Sequence, residues 1–275
     1  TGIPETVDDV EFLVPPMFEI RNELEVLIPE MKSLKVIQSL SSGVEDLLPH
    51  VRQGVTLCNS TDAHHTSTAE MAVALVLASL RGIDHFSRTY DWQLRTNHVW
   101  RSLADATVLI IGYGTIGKAI ERRLMGFECE VIKVARRARE GIYGIEDLLD
   151  LLALCDVVIM CAPHTAETEN LADEKFFSLM KQGALFVNIS RGQTVNTKDL
   201  VAAISSGHIK AALDVTEPEP LPQEHPLLTL KNVLITPHVA GRSAALLPRL
   251  NKSISAQVRR YLSGERLENI ITGLY

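Results

Sequence analysis

Three short segments carry side chains that can do chemistry together: VNISRG with Arg191, ALDVTEPEPLP with Asp214 and Glu219, and ITPHVAG with His238. A guanidinium can hold a substrate's carboxylate or carbonyl oxygen, an imidazole can donate a proton as negative charge develops on that oxygen, and a carboxylate can orient and charge the imidazole. Hydride transfer to a 2-keto acid requires those three roles. Each residue alone has a plainer reading, since a histidine after a proline is more often a loop residue than a catalyst. Together they point to Arg191, Glu219 and His238 as the catalytic set, with Arg191 also touching substrate.

Hydride transfer needs a carrier, and a second motif offers a seat for one. Gly112, Gly114 and Gly117 of GYGTIG follow the apolar run TVLII and open a helical pattern. Gly112 permits a tight turn, Gly114 lets the backbone approach a pyrophosphate, and Gly117 lets helix and strand pack closely. Free amides at the helix N-terminus complete the anion seat, so Tyr113, Thr115 and Ile116 join the glycines as cofactor-binding candidates. In such a unit the second strand normally ends in an acid that accepts from the ribose 2′-hydroxyl, about 20 residues on. Here VIKVARRA ends in Ala135, Arg136 and Arg137, while Glu128 and Glu130 lie at the strand's other end. A small residue in place of the acid removes repulsion toward a 2′-phosphate, and Arg136 or Arg137 can grip that phosphate through a planar fork. The residues favour NADP over NAD, with NAD as the alternative. The plainer reading is that the arginines solvate an exposed loop, and Arg139 is assigned to it.

A scaffold must bring these strand ends together. From residue 105 onward, TVLIIG, VIKVA, DVVIMCAP, ALFVNIS, AALDV and VLITPH alternate with helical patterns that begin at Thr115 and lie near IEDLLDLLALC, EKFFSLM and TKDLVAAISSG. Short apolar runs with little polar alternation suit strands buried on both faces, the pattern of a parallel sheet wrapped by helices. Ligands of a doubly wound sheet bind outside the carboxyl ends of its strands, and there Pro163 borders the cofactor. Ahead of this region VEFLVPP, KVIQSLS and GVTLCNS read as strands of a smaller α/β unit. TSTAEMAVALVLASLRG reads as a buried bridging helix over 66–81, capped by Thr66 or Ser67. His64 and His65 are adjacent, cannot share a face as helical ligands would, and are expected in a loop before that helix. The bridging helix is apolar on more faces than one sheet can cover, which predicts a homodimer. Residues 246–264 form a last helix that can return to the first unit.

The composition fits this picture. With 275 residues, 46% hydrophobic and 22% charged, the chain is long enough for one or two globular domains. A formal net charge of -7 argues against a nucleic-acid partner. The longest apolar run, 71–80, is far short of the roughly 20 residues that cross a bilayer. Cys58, Cys129, Cys155 and Cys161 are scattered, with no CxxC pair and no histidine at metal-ligand spacing, so they read as reduced thiols and no metal site is expected. No signal-peptide pattern is visible, and a cytoplasmic location is the expectation.

Through GYGTIG, NISRG, ALDVTEPEPLP and TPHVAG, in that order, the chain resembles the D-isomer-specific 2-hydroxyacid dehydrogenase family from about residue 34 onward. The resemblance implies a two-domain α/β fold, a Rossmann-type doubly wound parallel sheet inserted into a smaller flavodoxin-like substrate domain. It puts the substrate domain at 1–60 and 242–275 and the dinucleotide domain at 61–241. It also implies that the family's catalytic arginine, glutamate and histidine fall on Arg191, Glu219 and His238, and that Asp214 is the acid near the nicotinamide. QSLSSGVEDL matches the family's substrate loop, whose amides at Ser41, Ser42 and Gly43 would hold a carboxylate. That domain normally opens with a strand and helix ahead of VEFLVPP, so its first strand is expected to lie outside this chain. The expected substrate is a small D-2-hydroxy or 2-keto acid of open identity; Leu40, Trp92, Trp100 and Arg242 are candidates to shape its pocket. Two rival functions stand beside this one. One is a non-enzymatic dinucleotide sensor, since corepressors resembling this family keep the fold. The other is a 3-hydroxyacid dehydrogenase, which would place the glycine turn at the chain start and use a lysine.

Overall fold

The computed structural model describes residues 6–16, 21–89 and 92–272. The chain divides into two compact units, Thr1–His64 with Ser243–Tyr275, and His65–Arg242. The first unit begins with β1 (Phe12–Leu13), α1 (Arg21–Glu30), β2 (Val36–Gln38) and β3 (Thr56–Cys58), and α2 (Thr61–Leu80) leads out of it. The second continues with α3 (Ile83–Phe86), α4 (Leu94–Asn97), β4 (Thr107–Ile111), α5 (Thr115–Leu124), β5 (Glu130–Val134), α6 (Leu148–Leu152) and β6 (Val157–Met160). It is completed by α7 (Glu174–Leu179), β7 (Leu185–Asn188), α8 (Thr197–Ser205), β8 (Lys210–Leu213) and β9 (Val233–Ile235), after which α9 (Leu246–Ser263) returns to the first unit.

In the first unit β1, β2 and β3 form a parallel sheet in that order. Val36 lies opposite Phe12 on one side and Thr56 on the other. Ile28, Ile37, Val44 and Leu57 fill its core. The chain after α9 pairs with the outer edge through an antiparallel bridge between Cys58 and Ile270. Tyr261 of α9 packs its ring on Phe12 and donates its hydroxyl to Glu11 at 2.6 Å.

The second unit is a six-stranded parallel sheet in the order β5-β4-β6-β7-β8-β9. Every residue of β6 and β7 is buried, and all of β4 but Thr107. This burial on both faces is why the strands read as unbroken apolar runs. Alternate residues serve opposite faces: Val108 and Ile110 meet Ala72, Val76 and Ile120 of α2 and α5, while Leu109 and Ile111 join the layer holding Leu152, Phe176 and Leu200. In that layer Phe176, Phe177 and Phe186 meet edge to face, with centroids 5.3 to 5.9 Å apart. Such pairs add about 0.5–1.5 kcal/mol each beyond the area they bury. No helix among the described residues is long and apolar enough to cross a membrane.

The bridging helix differs from its expected form. It starts at Thr61 rather than near Thr66 or Ser67, because the Asn59 side chain accepts the Thr61 amide and the polar run TDAHH makes the first turn. Thr66 and Ser67 are therefore interior, and His64 and His65 are helical, not in a loop. Between 65 and 80 only Glu70 and Ala74 are exposed. The apolar surface assigned to a partner is thus largely covered within the chain. IEDLLDLLALC also differs, forming a 3₁₀ turn at 145–147 before the five-residue α6.

Two constraints bind the sheet. At its amino edge Asp156 accepts the Thr107 amide at 3.0 Å and meets Arg101 and Lys181 at 3.2 Å each. Burial raises its carboxyl pKa, but the Thr107 amide, Lys181 and Arg101 outweigh burial and hold it below the usual range. A folded pKa below the unfolded value, about 3.9, means that the group's contribution is complete above that value and is lost as pH falls through the folded one. At the carboxyl end of β4, Gly112 has φ +98°, and a Cβ there would lie 2.4 Å from the Ala162 amide nitrogen, whereas a Cβ on Gly114 meets nothing within 4 Å. Asp156→Ala should destabilise the protein by about 1–3 kcal/mol by leaving the Thr107 amide unsatisfied. Urea titrations should show that deficit at neutral pH and see it shrink below about pH 4; an equal deficit at both pH values would refute the assignment. Gly112→Ala should cost about 1–3 kcal/mol from backbone strain alone, while Gly114→Ala should stay within about 0.5 kcal/mol of the parent; thermal melts of the pair check the contrast.

Candidate active site

The glycine turn is shaped to receive an anion. Gly114 caps α5 without a side-chain hydrogen bond, so the first amides of the helix, at Thr115, Ile116 and Gly117, have no acceptor inside it. The positive end of the helix dipole lies at the same place. Gly117 must be glycine, because a Cβ would come within 2.6 Å of the Gly112 carbonyl oxygen. With open space at Gly114 and amides beyond it, the turn fits a dinucleotide pyrophosphate. The Tyr113 hydroxyl bonds Glu121, which also holds Lys133 at 3.0 Å. Burial and the neighbouring Glu121 push that hydroxyl's pKa up to about 12. Tyr113 thus has its side chain tied to α5, and what it offers a ligand is backbone.

Strands β5 and β6 flank β4, so the segments leaving their carboxyl ends border the turn. Ala135 follows β5 directly and is buried. Arg136 comes next, and its Nη2 meets Glu167 Oε1 at 2.5 Å, with the two side chains 63% and 59% exposed. Arg137 is exposed, with no hydrogen bond or ion pair among the described residues. Arg139, expected merely to solvate a loop, instead donates to the Tyr113 carbonyl at 3.0 Å. Paired amides and carbonyls of Arg139 and Ile142 fold that loop back, which is how the guanidinium reaches the glycine turn. After β6, the Pro163 carbonyl accepts from the Thr168 hydroxyl at 2.7 Å, and His164 pairs with Glu169.

Arg191, Asp214 and His238 follow the adjacent strands β7, β8 and β9. The Asn188 side chain folds the turn after β7, accepting the Ser190 amide at 3.0 Å and donating to the Arg191 carbonyl at 2.9 Å. Gly192 lets this turn press on the next one, since a Cβ there would lie 2.0 Å from the Thr216 carbonyl oxygen. The buried Asp214 accepts the Thr236 hydroxyl at 2.5 Å and the amides of Val239 and Ala240 at 3.0 and 2.8 Å. Its carboxylate therefore orders the turn that carries His238. Within that turn His238 adopts φ +51°, and its Nδ1 meets Glu219 Oε1 at 2.6 Å. Both side chains are a little under half exposed.

The loop at 39–43 belongs to the other unit. The Ser60 amide bonds the Ser41 carbonyl at 3.0 Å, and Asn59 Nδ2 bonds the Ser42 carbonyl at 2.8 Å. Buried Gln38 donates to the Ser39 and Asn59 carbonyls and accepts from Gln257. His64, given no role on sequence grounds, contacts the Leu40 carbonyl through Nε2 at 2.7 Å. A carbonyl can only accept, so Nε2 carries the proton of that bond, and burial lowers the ring's pKa. The Ser41 amide, one of three expected to hold a carboxylate, is taken by Ser39 Oγ at 3.0 Å; the expectation narrows to Ser42 and Gly43. Sequence reasoning missed Gln38, Asn59, Ser60 and His64. The available signal was polar residues closing apolar runs, as in VIQS and LCNS.

Trp100 departs from its expected place at a pocket. It packs on Gly82, Phe86 and His98, with Lys210 Nζ 5.9 Å from its ring centroid. Lys210 opens β8, so this cluster sits at the sheet edge opposite the three catalytic candidates. Trp92 is exposed.

Known proteins share the sequence pattern and the fold. The family profile described as D-isomer specific 2-hydroxyacid dehydrogenase, NAD binding domain, matches residues 72–240. A glyoxylate reductase/hydroxypyruvate reductase of Homo sapiens is 38% identical over 228 residues, 76% of this chain and 68% of that protein. A glyoxylate reductase of Thermococcus kodakarensis is 32% identical over 277 residues, 94% of this chain and 82% of that protein. Among solved structures, a probable 2-hydroxyacid dehydrogenase from Rhizobium etli, in complex with NADP, HEPES and L(+)-tartaric acid, superposes with a TM-score of 0.82 at 27% identity, covering 98% of this chain and 86% of that one. The sheet order, the glycine turn and these matches along most of the relatives' length have one explanation: the chain belongs to the D-isomer specific 2-hydroxyacid dehydrogenase family and is an NAD(P)-dependent oxidoreductase that moves a hydride between a nicotinamide and a 2-hydroxy acid.

Proposed function

We propose that the protein reduces a small 2-keto acid, of the glyoxylate and hydroxypyruvate class, to the D-2-hydroxy acid with NADPH. The observation that carries this reading is the His238–Glu219 contact at 2.6 Å on a turn beside the one that bears Arg191. With Glu219 accepting from Nδ1–H, the imidazolium form of His238 carries Nε2–H as the proton to give to the substrate's carbonyl oxygen, and is left as the neutral ring with Nδ1–H still on Glu219. Arg191 holds the substrate by its carboxylate or carbonyl oxygen, and its charge stabilises the developing alkoxide. The bound nicotinamide supplies the hydride. Asp214 acts as a positioning residue for His238. Ser42 and Gly43 are assigned to the substrate's carboxylate, and the unit that contains them to substrate binding. The relatives named as glyoxylate reductases support the substrate class.

For the cofactor, support comes from Ala135 and Arg136 at the end of β5 and from the NADP in the Rhizobium etli structure. Gly112, Gly114, Gly117 and the amides of Thr115 and Ile116 are assigned to the pyrophosphate, and Arg136, with Arg137 second, to the 2′-phosphate. Pro163 borders the same cofactor. A dinucleotide sensor without turnover is not favoured. A cytoplasmic location and a homodimer complete the reading; the exposed Ile83, Phe86, Trp92 and Val99 support the latter as a surface for a second copy.

Steady-state assays of glyoxylate, hydroxypyruvate and pyruvate with each cofactor test the function. NADPH should exceed NADH by about 10- to 150-fold in kcat/KM, the worth of one charge-assisted hydrogen bond. His238→Ala should lower kcat by about 10²- to 10⁴-fold, and Arg191→Lys should also damage turnover because an ammonium lacks the two-pronged grip. Unchanged turnover in His238→Ala, or none with any 2-keto acid in the parent, would sink the reading. Sedimentation at micromolar concentration should give twice the 30.4 kDa chain mass, and a monomer there would remove the dimer.

A further inference from the structure

We propose that Glu167 is a cofactor-specificity residue: it holds the Arg136 guanidinium as an internal rival of the cofactor's 2′-phosphate and thereby restrains the preference for NADPH. The proposal rests on the reading that Arg136 receives that phosphate.

The geometry is particular. Arg136 stands two residues beyond the end of β5, and Glu167 lies in the turn after β6. These strands are not neighbours, because β4 runs between them. Two strand spacings put their ends roughly 10 Å apart, and the ion pair closes that gap across the carboxyl end of β4, where the glycine turn begins. An acid normally ends β5 in this fold; here a carboxylate reaches the same region from the next strand but one. Glu169, two residues on, is held by His164 instead.

The chemistry follows from what one guanidinium can hold. A phosphate gripped by the planar fork uses the same N–H groups that now face Glu167. A 2′-phosphate can take them, because it carries more charge than a carboxylate and because an ion pair this exposed is weak. The exchange breaks the Arg136–Glu167 pair, and the loss of that pair opposes binding. A ribose 2′-hydroxyl makes no such demand, and the pair stays intact when the unphosphorylated cofactor binds. Glu167 therefore acts against one cofactor and not the other.

The test is calorimetric binding of adenosine 2′,5′-bisphosphate and of adenosine 5′-monophosphate to the full chain, which reads affinity without turnover. Four proteins are compared: the parent, Glu167→Gln, Arg136→Ala and the double variant. Glu167→Gln should tighten the bisphosphate by about 3- to 10-fold and leave the monophosphate unchanged. In the Arg136→Ala background the same change should matter by less than about twofold, since nothing is left to compete for. The gain should also shrink as salt is raised. If Arg136→Ala weakens the bisphosphate while Glu167→Gln has no effect, Arg136 still reads the phosphate and only the rivalry is overturned. Equal tightening in both backgrounds also overturns it, in favour of plain charge repulsion. Should Arg136→Ala leave bisphosphate binding untouched, the assignment of Arg136 falls and this inference with it.

Discussion

Asp214 is the residue on which the carboxyl end of the sheet depends. A carboxylate taken out of water is costly unless hydrogen bonds replace its hydration, and here the replacements are one hydroxyl and two backbone amides, all from 236–240. Its main chain is bound in both directions as well: the amide donates to the carbonyl of Asn188, the last residue of β7, and the carbonyl accepts the His238 amide after β9. Three strand ends are thus fastened through one residue. Gly192 adds a second point of closure, because the turn of Arg191 lies against the backbone of Thr216 with no room for a methyl group. Neither turn can shift without disturbing the other. The relative placement of the arginine and the histidine is a property of the sheet rather than of two independent loops.

The two edges of the same sheet do different work. At the amino edge Asp156 gathers a backbone amide and two cations, and Trp100 lies against Gly82 with Lys210 beside its ring. Side chains there are consumed by the fold. At the carboxyl edge the polar groups divide. Asn188 and Asp214 are buried and bonded inward, while Glu219 and His238 remain partly exposed. This layering of a fixed inner set beneath a presented outer set is what a site on a rigid scaffold requires.

Much of this could be read from the chain because strand, turn and helix follow one another locally. GYGTIG after TVLII gave its own context, and the apolar runs marked strands whose burial on both faces removes alternation. What stayed hidden depends on contacts between distant residues. Glu167 reaches Arg136 across an intervening strand, and nothing in either loop announces the other. Asp214 was legible as part of a motif, but its bonds to Thr236, Val239 and Ala240 were not, since they join separate strand ends. The start of α2 departs from the sequence pattern for a local reason: TSTAE looks like a cap, yet Asn59 accepts the Thr61 amide and the helix begins sooner. His64 carries no signal of its own in the sequence, because only its helical setting brings its ring to Leu40.

The backbone of His238 is held in the left-handed region. Its φ of +51° is a conformation that a residue with a side chain adopts at a cost of about 1–3 kcal/mol, and the surrounding bonds from Asp214 hold it there. That cost is met during folding and not during reaction. In the role proposed for it, the imidazole need not be ordered when a carbonyl arrives, so the entropy of aligning donor with acceptor has already been removed from the barrier. A floppy histidine on the same loop would recover that entropy in the resting protein and surrender it in every turnover.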